Sequence, residues 1–121
     1  MSRTALTIDD SKTMRDMVSF TLKNAGFDVT EAENGQLGLD KVNKASFDII
    51  ITDVNMPVMD GITFTREARK IAALKTTPIL ILTTESDANI KNEGRNAGAT
   101  GWIVKPFNPE KLLQVVEKVC G

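Results

Sequence analysis

Short apolar runs alternate five times with amphipathic segments, and this regular alternation most constrains the fold of the chain. The apolar runs have the length of strands, and the segments after them repeat apolar side chains at helical spacing. Predicted strands cover residues 5–8, 27–32, 47–53, 79–82 and 101–104. Short connections and right-handed crossovers between such elements give a doubly wound sheet with helices on both faces. The predicted fold class is therefore α/β, with five parallel strands and five helices.

Start and stop signals place the five helices between and after these strands. Ser11 is the expected N-cap of the first helix, and Gly26 ends it. The second helix is predicted from about residue 35 to 45, although Gly38 inside it costs about 1 kcal/mol relative to alanine. The third helix runs from about residue 61 to 73, and the fourth covers 88–97. The fifth follows Asn108 as N-cap, with Pro109 in its first turn.

Length and composition exclude several classes of function. We expect the 121 residues to form a single domain over 1–121, without an attached effector domain. The net charge of −1 offers no basic surface for nucleic acid or a membrane, and no apolar run is long enough to span a bilayer.

No histidine is present, so histidine-based catalytic dyads and zinc sites are excluded. A single cysteine, Cys120, and the lack of a signal-peptide apolar region lead us to expect a cytoplasmic protein.

Three aspartates stand at the ends of two strands whose tips should lie side by side. Asp9 and Asp10 follow the first strand, and Asp53 ends the third. In doubly wound sheets, ligands bind beyond the carboxyl ends of the strands, where the strand order reverses. Carboxylates that converge there repel one another unless a divalent cation holds them or one of them is covalently modified. The pattern predicts a magnesium site with a nucleophilic aspartate.

Other reactive side chains fall at the same edge of the predicted sheet. The hydroxyl pair Thr83 and Thr84 ends the fourth strand, and Lys105 ends the fifth. The convergence of these groups with the carboxylates carries more weight than any one residue alone.

Along its full length, the chain resembles the response-regulator receiver domain of two-component signalling. The matching pieces, all in the family's order and spacing, are the Asp9-Asp10 pair, Asp53 within Asp-Val-Asn-Met-Pro-Val-Met-Asp-Gly, Thr83, and Lys105-Pro106-Phe107. The resemblance implies the flavodoxin-like strand order 2-1-3-4-5. It also implies that Asp53 is the phosphoacceptor, which takes a phosphoryl group from a histidine kinase and becomes an aspartyl phosphate.

The resemblance also implies a ligand set for Mg²⁺. Asp10 and Asp53 would bind the ion directly, with the backbone carbonyl of Asn55 as a third ligand and Asp9 acting largely through water. Few protein ligands suffice, because Mg²⁺ usually retains several waters. A cap at the start of the first helix is the alternative role for Asp9 and Asp10, and both roles can hold at once.

Contacts to the phosphoryl group follow from the same resemblance. Lys105 would supply the second cation that stabilises the transition state, and Thr83 would donate its hydroxyl to a phosphoryl oxygen. Thr84 could substitute in part for Thr83. The family's Lys–Pro bond, here Lys105–Pro106, is typically cis.

Three further positions match regulatory residues of the family. Trp102 stands where the family carries a tyrosine or phenylalanine that follows the Thr83 hydroxyl inward on phosphorylation. The larger indole donates but does not accept hydrogen bonds, so a ring that simply packs half-exposed on the fourth helix stays an open alternative. Asn55 and Glu85 occupy positions that tune how fast water attacks the aspartyl phosphate, with simple loop polarity as the alternative.

The fourth helix is poor in both helix propensity and apolar surface. It holds one large apolar side chain, three asparagines and a glycine. We predict that it is among the least stable parts of the fold and shifts when the site is phosphorylated. An ordinary surface helix is the alternative.

The resemblance predicts a phosphorylation-driven switch that is not an enzyme, beyond catalysing its own phosphorylation and dephosphorylation. Its output would be protein–protein binding through the fourth helix, fifth strand and fifth helix. The stretch from Asp9 to Arg15 resembles chemotaxis regulators, which favours the flagellar motor switch as the output partner. A phosphatase is a further candidate partner, whereas nucleic acid and membranes are not expected. A phosphate sink or a phosphorelay intermediate would have almost the same sequence.

Local sequence features argue against two functions of a different class. A magnesium-dependent phosphatase that forms an aspartyl phosphate resembles Asp-x-Asp, with the second aspartate as general acid. Asn55 stands there and cannot perform that role. A flavin-binding module needs a hydroxyl- and glycine-rich phosphate loop after the first strand, where this chain has acids that repel phosphate.

Overall fold

The computed structural model describes residues 3–84, 88–105 and 107–120. Strands and helices alternate along them as the sequence predicts. The strands are β1 (Arg3–Ile8), β2 (Phe27–Ala32), β3 (Ile49–Thr52), β4 (Ile79–Thr83) and β5 (Gly101–Val104). The helices are α1 (Lys12–Asn24), α2 (Gly35–Val42), α3 (Gly61–Ala68), α4 (Ala88–Ala97) and α5 (Pro109–Cys120).

All five strands are parallel and lie in the order β2-β1-β3-β4-β5. This confirms the flavodoxin-like order. In the register of β1 with β3, Ile8 pairs with Thr52, and the backbone N–H of Asp53 donates to the carbonyl of Ile8 at 2.9 Å. The strand order reverses beside β1 and β3, so the residues that follow them face a crevice.

Apolar side chains cover both faces of the sheet. On one face, α1 and α5 bury a cluster that includes Val18, Leu22, Leu112 and Val116, which pack on alternate residues of the strands. On the other, α2 and α3 bury a second cluster around Phe64, and α4 closes a third, smaller one around Ile81. A helix with the length and apolar character of a membrane span is absent from the described residues.

Side-chain caps fix where the helices begin. The Ser11 hydroxyl accepts from the backbone N–H of Met14 at 3.3 Å, and the Asn108 side chain accepts from that of Glu110 at 2.8 Å. Both predicted caps are therefore confirmed. Asp60 caps α3 in the same way, which places the start of that helix directly behind the end of β3.

Two helices end earlier than the sequence pattern predicts. Helix α2 ends at Val42 rather than near residue 45, and α3 ends at Ala68 rather than near residue 73. After α3, the Arg69 guanidinium donates to the carbonyl oxygens of Leu74 and Thr77. A short 3₁₀ turn at Ala72–Leu74 follows, and the guanidinium also donates to the carbonyl of Gly98, so contacts beyond the helix accompany its early end.

Candidate functional site

The turn after β1 and the end of β3 bring three carboxylates together. One oxygen from each of Asp9, Asp10 and Asp53 lies within 4.8 Å of the others. Asp9 and Asp53 are buried, whereas Asp10 is exposed. Parallel pairing causes the convergence, because Asp9 donates its N–H to β2 and Asp53 donates its own to β1. The sequence prediction that these acids meet at one edge is what the structure shows.

Lys105 places a cation inside this cluster. Its Nζ lies 2.9 Å from Oδ2 of Asp9 and 3.4 Å from Oδ2 of Asp53. Its backbone N–H donates to the carbonyl of Thr83 at 2.7 Å, which ties the end of β5 to the end of β4. All three charged side chains are about nine-tenths buried. Three carboxylates and one ammonium leave the cluster with an uncompensated negative charge.

Burial raises the pKa of the Asp53 carboxyl above its ordinary value. The Lys105 ammonium lowers this pKa, the Asp9 carboxylate raises it, and the backbone N–H of Val54, 2.8 Å from Oδ1, lowers it. Burial outweighs the two stabilising contacts. The ionised Asp53 side chain is thus held in a place where additional positive charge is favourable.

The donors suit a hard divalent cation. Carboxylate oxygens are the ligands that Mg²⁺ prefers. The three carboxylates and the Lys105 ammonium together leave a net negative charge that a dication balances. Asp9 already uses both oxygens, one toward Lys105 and one accepting from the backbone N–H of Ser11 at 2.9 Å. Asp10 is exposed, and one of its oxygens lies within 4.8 Å of an Asp53 oxygen. This arrangement fits the prediction that Asp10 and Asp53 bind directly and Asp9 through water; the Asn55 carbonyl stays a predicted third ligand.

The predicted phosphoryl-contacting residues lie at this same edge. Thr83 is the last residue of β4 and is fully buried, whereas Thr84 just after it is exposed. This difference favours Thr83 as the hydroxyl donor, although the role itself stays a prediction. Two predictions, the lifetime-tuning role of Glu85 and the cis bond to Pro106, fall on positions outside the described residues.

The Trp102 ring is half-buried on the inner side of α4. It joins the small apolar cluster of Ile81 and Ala97, and its six-membered ring faces Gly94. The indole Nε1 is buried and has no hydrogen-bond partner within the residues described. The ring therefore packs on the fourth helix, as the simpler interpretation holds, and its rotation stays a prediction.

Arg15 supports the acid cluster from behind, a role that the sequence pattern did not reveal. Its Nη1 donates to the backbone carbonyl of Asp9 at 2.7 Å, and its Nε donates to Glu31 at 3.2 Å. The hydroxyl of Ser19 donates to the other oxygen of Glu31 at 3.0 Å. This largely buried network holds the Asp9 backbone against α1 and β2. Arg15 lies one helical turn after Ser11, where an arginine is unremarkable in sequence.

Gly61 is the second residue whose role appears only in the structure. A β-carbon built there would lie 1.8 Å from the carbonyl oxygen of Asp53. Its N–H donates to the carbonyl of Val54 at 2.9 Å. Only glycine lets the start of α3 approach the backbone of Asp53 so closely. The signal in the sequence is the Gly that follows Asp60, which reads as an ordinary helix start.

Comparison with known proteins agrees with this geometry. Residues 5–117 match the family model of the response regulator receiver domain. The chain is 37% identical over 115 residues to the chemotaxis protein CheY of Pseudomonas aeruginosa, covering 94% of this chain and 93% of the relative. It is 38% identical over 118 residues to chemotaxis protein CheY1 of Helicobacter pylori, covering 96% and 95%.

Among solved structures, the chain is similar to the chemotaxis response regulator CheY4 of Vibrio cholerae. The TM-score is 0.93 and the identity 50%, over 98% of this chain and 99% of that one. The family match spans nearly all of the chain, and both curated relatives are similar over nearly their full lengths. The chain therefore belongs to the response regulator receiver domain family of two-component signalling, among the CheY-like chemotaxis response regulators.

Proposed function

We propose that the protein is a cytoplasmic response regulator which a histidine kinase phosphorylates on Asp53, and which thereby switches between two conformations. One observation carries the proposal. The Asp53 carboxylate is buried among two further carboxylates, and a lysine ammonium lies 3.4 Å away. Such a group is a nucleophile placed beside the charges that stabilise a transferring phosphoryl group.

The reaction needs little from the protein beyond positioning and charge. An Asp53 oxygen attacks the phosphorus of a phosphohistidine on the kinase; the O–P bond forms as the N–P bond breaks, and the imidazole nitrogen leaves. Lys105 stabilises negative charge on the phosphoryl oxygens, and the Thr83 hydroxyl donates to one of them. Mg²⁺, held by Asp10, Asp53 and the Asn55 carbonyl, would neutralise further charge there.

Phosphorylation changes what Lys105 and Thr83 contact. Before transfer, the ammonium lies between Asp9 and Asp53. Afterwards the phosphoryl oxygens compete with the carboxylates for the Lys105 ammonium and also attract the Thr83 hydroxyl. These new contacts favour the active conformation at the ends of β4 and β5. To move the switch from 1:99 to 99:1, phosphorylation must favour the active conformation by about 5.5 kcal/mol.

The face of α4, β5 and α5 is the proposed output surface. Two pockets of about 390 Å³ and 330 Å³ flank the Trp102 ring on this face. Lys91, Arg95 and Lys111 line them, and Val104 is 40% exposed. Cations around an apolar patch suit an acidic, amphipathic segment of a partner. Because the curated relatives are chemotaxis proteins, we propose that this partner belongs to the flagellar motor switch.

A phosphotransfer assay tests the proposal at its centre. The protein is incubated with Mg²⁺ and a radiolabelled phosphohistidine kinase, or with a small acyl phosphate. Wild type and Asp28→Asn, a control at an exposed aspartate of β2, should be labelled, whereas Asp53→Asn should not. Wild-type protein that no donor labels, or label that persists in Asp53→Asn, would contradict phosphorylation at this site.

Binding to a motor-switch peptide tests the output. Beryllofluoride with Mg²⁺ mimics the phosphoryl group, so affinity should rise when it is added. A phosphate sink carries the same site, but it would bind the peptide in neither state. That result would remove the motor proposal and leave phosphorylation intact.

A further inference from the structure

Gly94 lies in α4 at a position where neighbouring side chains leave little room for a β-carbon. A β-carbon built there would lie 2.9 Å from Cδ1 of Ile81 and 3.1 Å from Cζ3 of Trp102. Both distances are shorter than ordinary carbon–carbon contact, which is about 3.5–4.0 Å. Within the described residues, the glycines with positive φ are Gly26 and Gly98, so the backbone at Gly94 does not require glycine. Glycine also weakens the helix.

The indole rests in the gap that Gly94 leaves. The atoms facing Gly94 belong to the six-membered ring, the part of the indole that extends beyond its pyrrole. Ile81 forms the other wall, from β4. We propose that Gly94 is the positioning residue of the Trp102 ring, and that the size of side chain 94 sets whether the ring is seated between α4 and β4. This inference rests on the proposed function, in which Trp102 is the switch residue.

Opposing contributions act on the seated ring. Seating buries its apolar surface in the cluster with Ile81 and Ala97, which is favourable. It also leaves the indole N–H buried without a partner in the described chain, which is unfavourable. The two pockets beside the ring offer a displaced position where the N–H meets water. A ring with two positions of opposed advantage is a two-state element that a small change can bias.

The two residues that flank the Trp102 ring, Ile81 and Gly94, connect the position of the ring to the phosphorylation site. Ile81 lies two residues before Thr83 on β4, and Gly94 lies on α4, the next helix in the chain. A shift of α4 relative to the end of β4 therefore widens or closes the gap. The ring reports the relative position of these two elements.

Fluorescence measures the ring position directly. Trp102 is the only tryptophan and the chain has no tyrosine, so intrinsic emission comes from this ring alone. In metal-free, unphosphorylated protein, Gly94→Ala should shift the emission to longer wavelength and increase quenching by acrylamide. Asn92→Ala is the matched control: it raises helix propensity at an exposed position of α4 and adds nothing at the seat. Its emission should match wild type.

A double-mutant cycle keeps the test decisive if Gly94→Ala is unstable. In a Trp102→Phe background the smaller ring removes the contact with the indole but not that with Ile81, so Gly94→Ala should cost less stability there than in the wild-type background. In the wild-type background it should lower the midpoint and displace the ring. Unchanged emission in Gly94→Ala, or the same loss of stability in both backgrounds, would contradict the proposal that Gly94 positions the Trp102 ring.

Addition of beryllofluoride and Mg²⁺ tests the coupling to phosphorylation. Wild-type emission should shift, and Gly94→Ala should respond less because its ring is already displaced. A wild type that is labelled on Asp53 but shows no shift overturns the coupling. Absence of any labelling of Asp53 would instead contradict the proposed function. The fluorescence comparison in metal-free protein would still show whether Gly94 positions the Trp102 ring.

Discussion

Removing the charge of Asp53 should stabilise the metal-free protein. The substitution Asp53→Asn keeps the shape of the side chain and an oxygen that accepts from the Val54 N–H. It removes one of three carboxylates that lie within 4.8 Å of one another. Lys105 is not left without a partner, because its Nζ still contacts Asp9 at 2.9 Å.

The charges in the site set the size of this effect. At an effective dielectric constant of about 20, two like charges 4.8 Å apart repel by about 3.5 kcal/mol. Lys105, 3.4 Å from Asp53, attracts it by about 5 kcal/mol on the same scale. Exposed Asp10 repels less than buried Asp9, so repulsion and attraction nearly cancel and the cost of burying the carboxylate remains. We expect Asp53→Asn to raise the free energy of unfolding by about 1–2 kcal/mol.

The pH dependence follows from the raised pKa of Asp53. Because the folded pKa lies above the ordinary value of 3.8, the folded state binds this proton more readily than the unfolded state. The contribution of this group to stability therefore falls as pH rises from 3.8 through the folded pKa. The advantage of Asp53→Asn should be complete at neutral pH and shrink as the pH falls through that window.

Urea unfolding followed by far-UV circular dichroism measures this prediction. Wild type, Asp53→Asn and the exposed control Asp28→Asn are compared in EDTA at pH 7 and at acid pH. Saturating Mg²⁺ should reverse the order, because a ligand at 100 times its Kd stabilises its site by about 2.7 kcal/mol. An Asp53→Asn variant no more stable than wild type in EDTA at pH 7 would refute the electrostatic reasoning. An advantage that persists unchanged at acid pH would do the same.

Four further outcomes are expected. Lys105→Met leaves buried Asp9 unpaired, so it should cost about 3 kcal/mol in urea unfolding and slow phosphotransfer, with part of the stability restored by Mg²⁺. Gly61→Ala drives a methyl group against the Asp53 carbonyl, which should lower stability by about 1–3 kcal/mol and reduce labelling of Asp53. Arg15→Lys keeps the charge but cannot hold the Asp9 carbonyl and Glu31 together, so calorimetry should show Mg²⁺ affinity about tenfold weaker. Helix α4, whose buried residues are Gly94 and Ala97, should exchange its amides faster than α1.

The elements that sequence predicts best are those whose signals are local. The apolar runs locate all five strands, and β2, β5 and α4 have the predicted bounds. Side-chain caps such as Ser11 and Asn108 fix helix starts within a few residues of chain. The convergence of Asp9 and Asp53 is also predictable, because parallel strands present their carboxyl ends at one edge.

Features that depend on distant contacts carry no such signal. Where α3 ends, Arg69 donates to the carbonyls of Leu74 and Thr77 nearby and to that of Gly98, 29 residues away. The helical pattern continues past it, so the periodicity overestimates the helix. The same holds for Gly94, which reads in sequence only as a weak helix former. Its role depends on a ring from a later strand.

Stability and chemistry oppose each other in the acid cluster. A fold selected for stability alone has no use for three carboxylates and one ammonium at a half-closed edge, since hydrophobic or neutral residues cost less there. The repulsion that destabilises the metal-free protein is the same energy that a dication releases when it binds. Stability gained by neutralising Asp10 or Asp53 and Mg²⁺ affinity lost by the same change are therefore two measures of one interaction, whereas neutralising Asp9 also removes the nearest partner of the Lys105 ammonium. They should rise together in Asp10→Asn and Asp53→Asn, with the exposed Asp10 giving the smaller gain in stability.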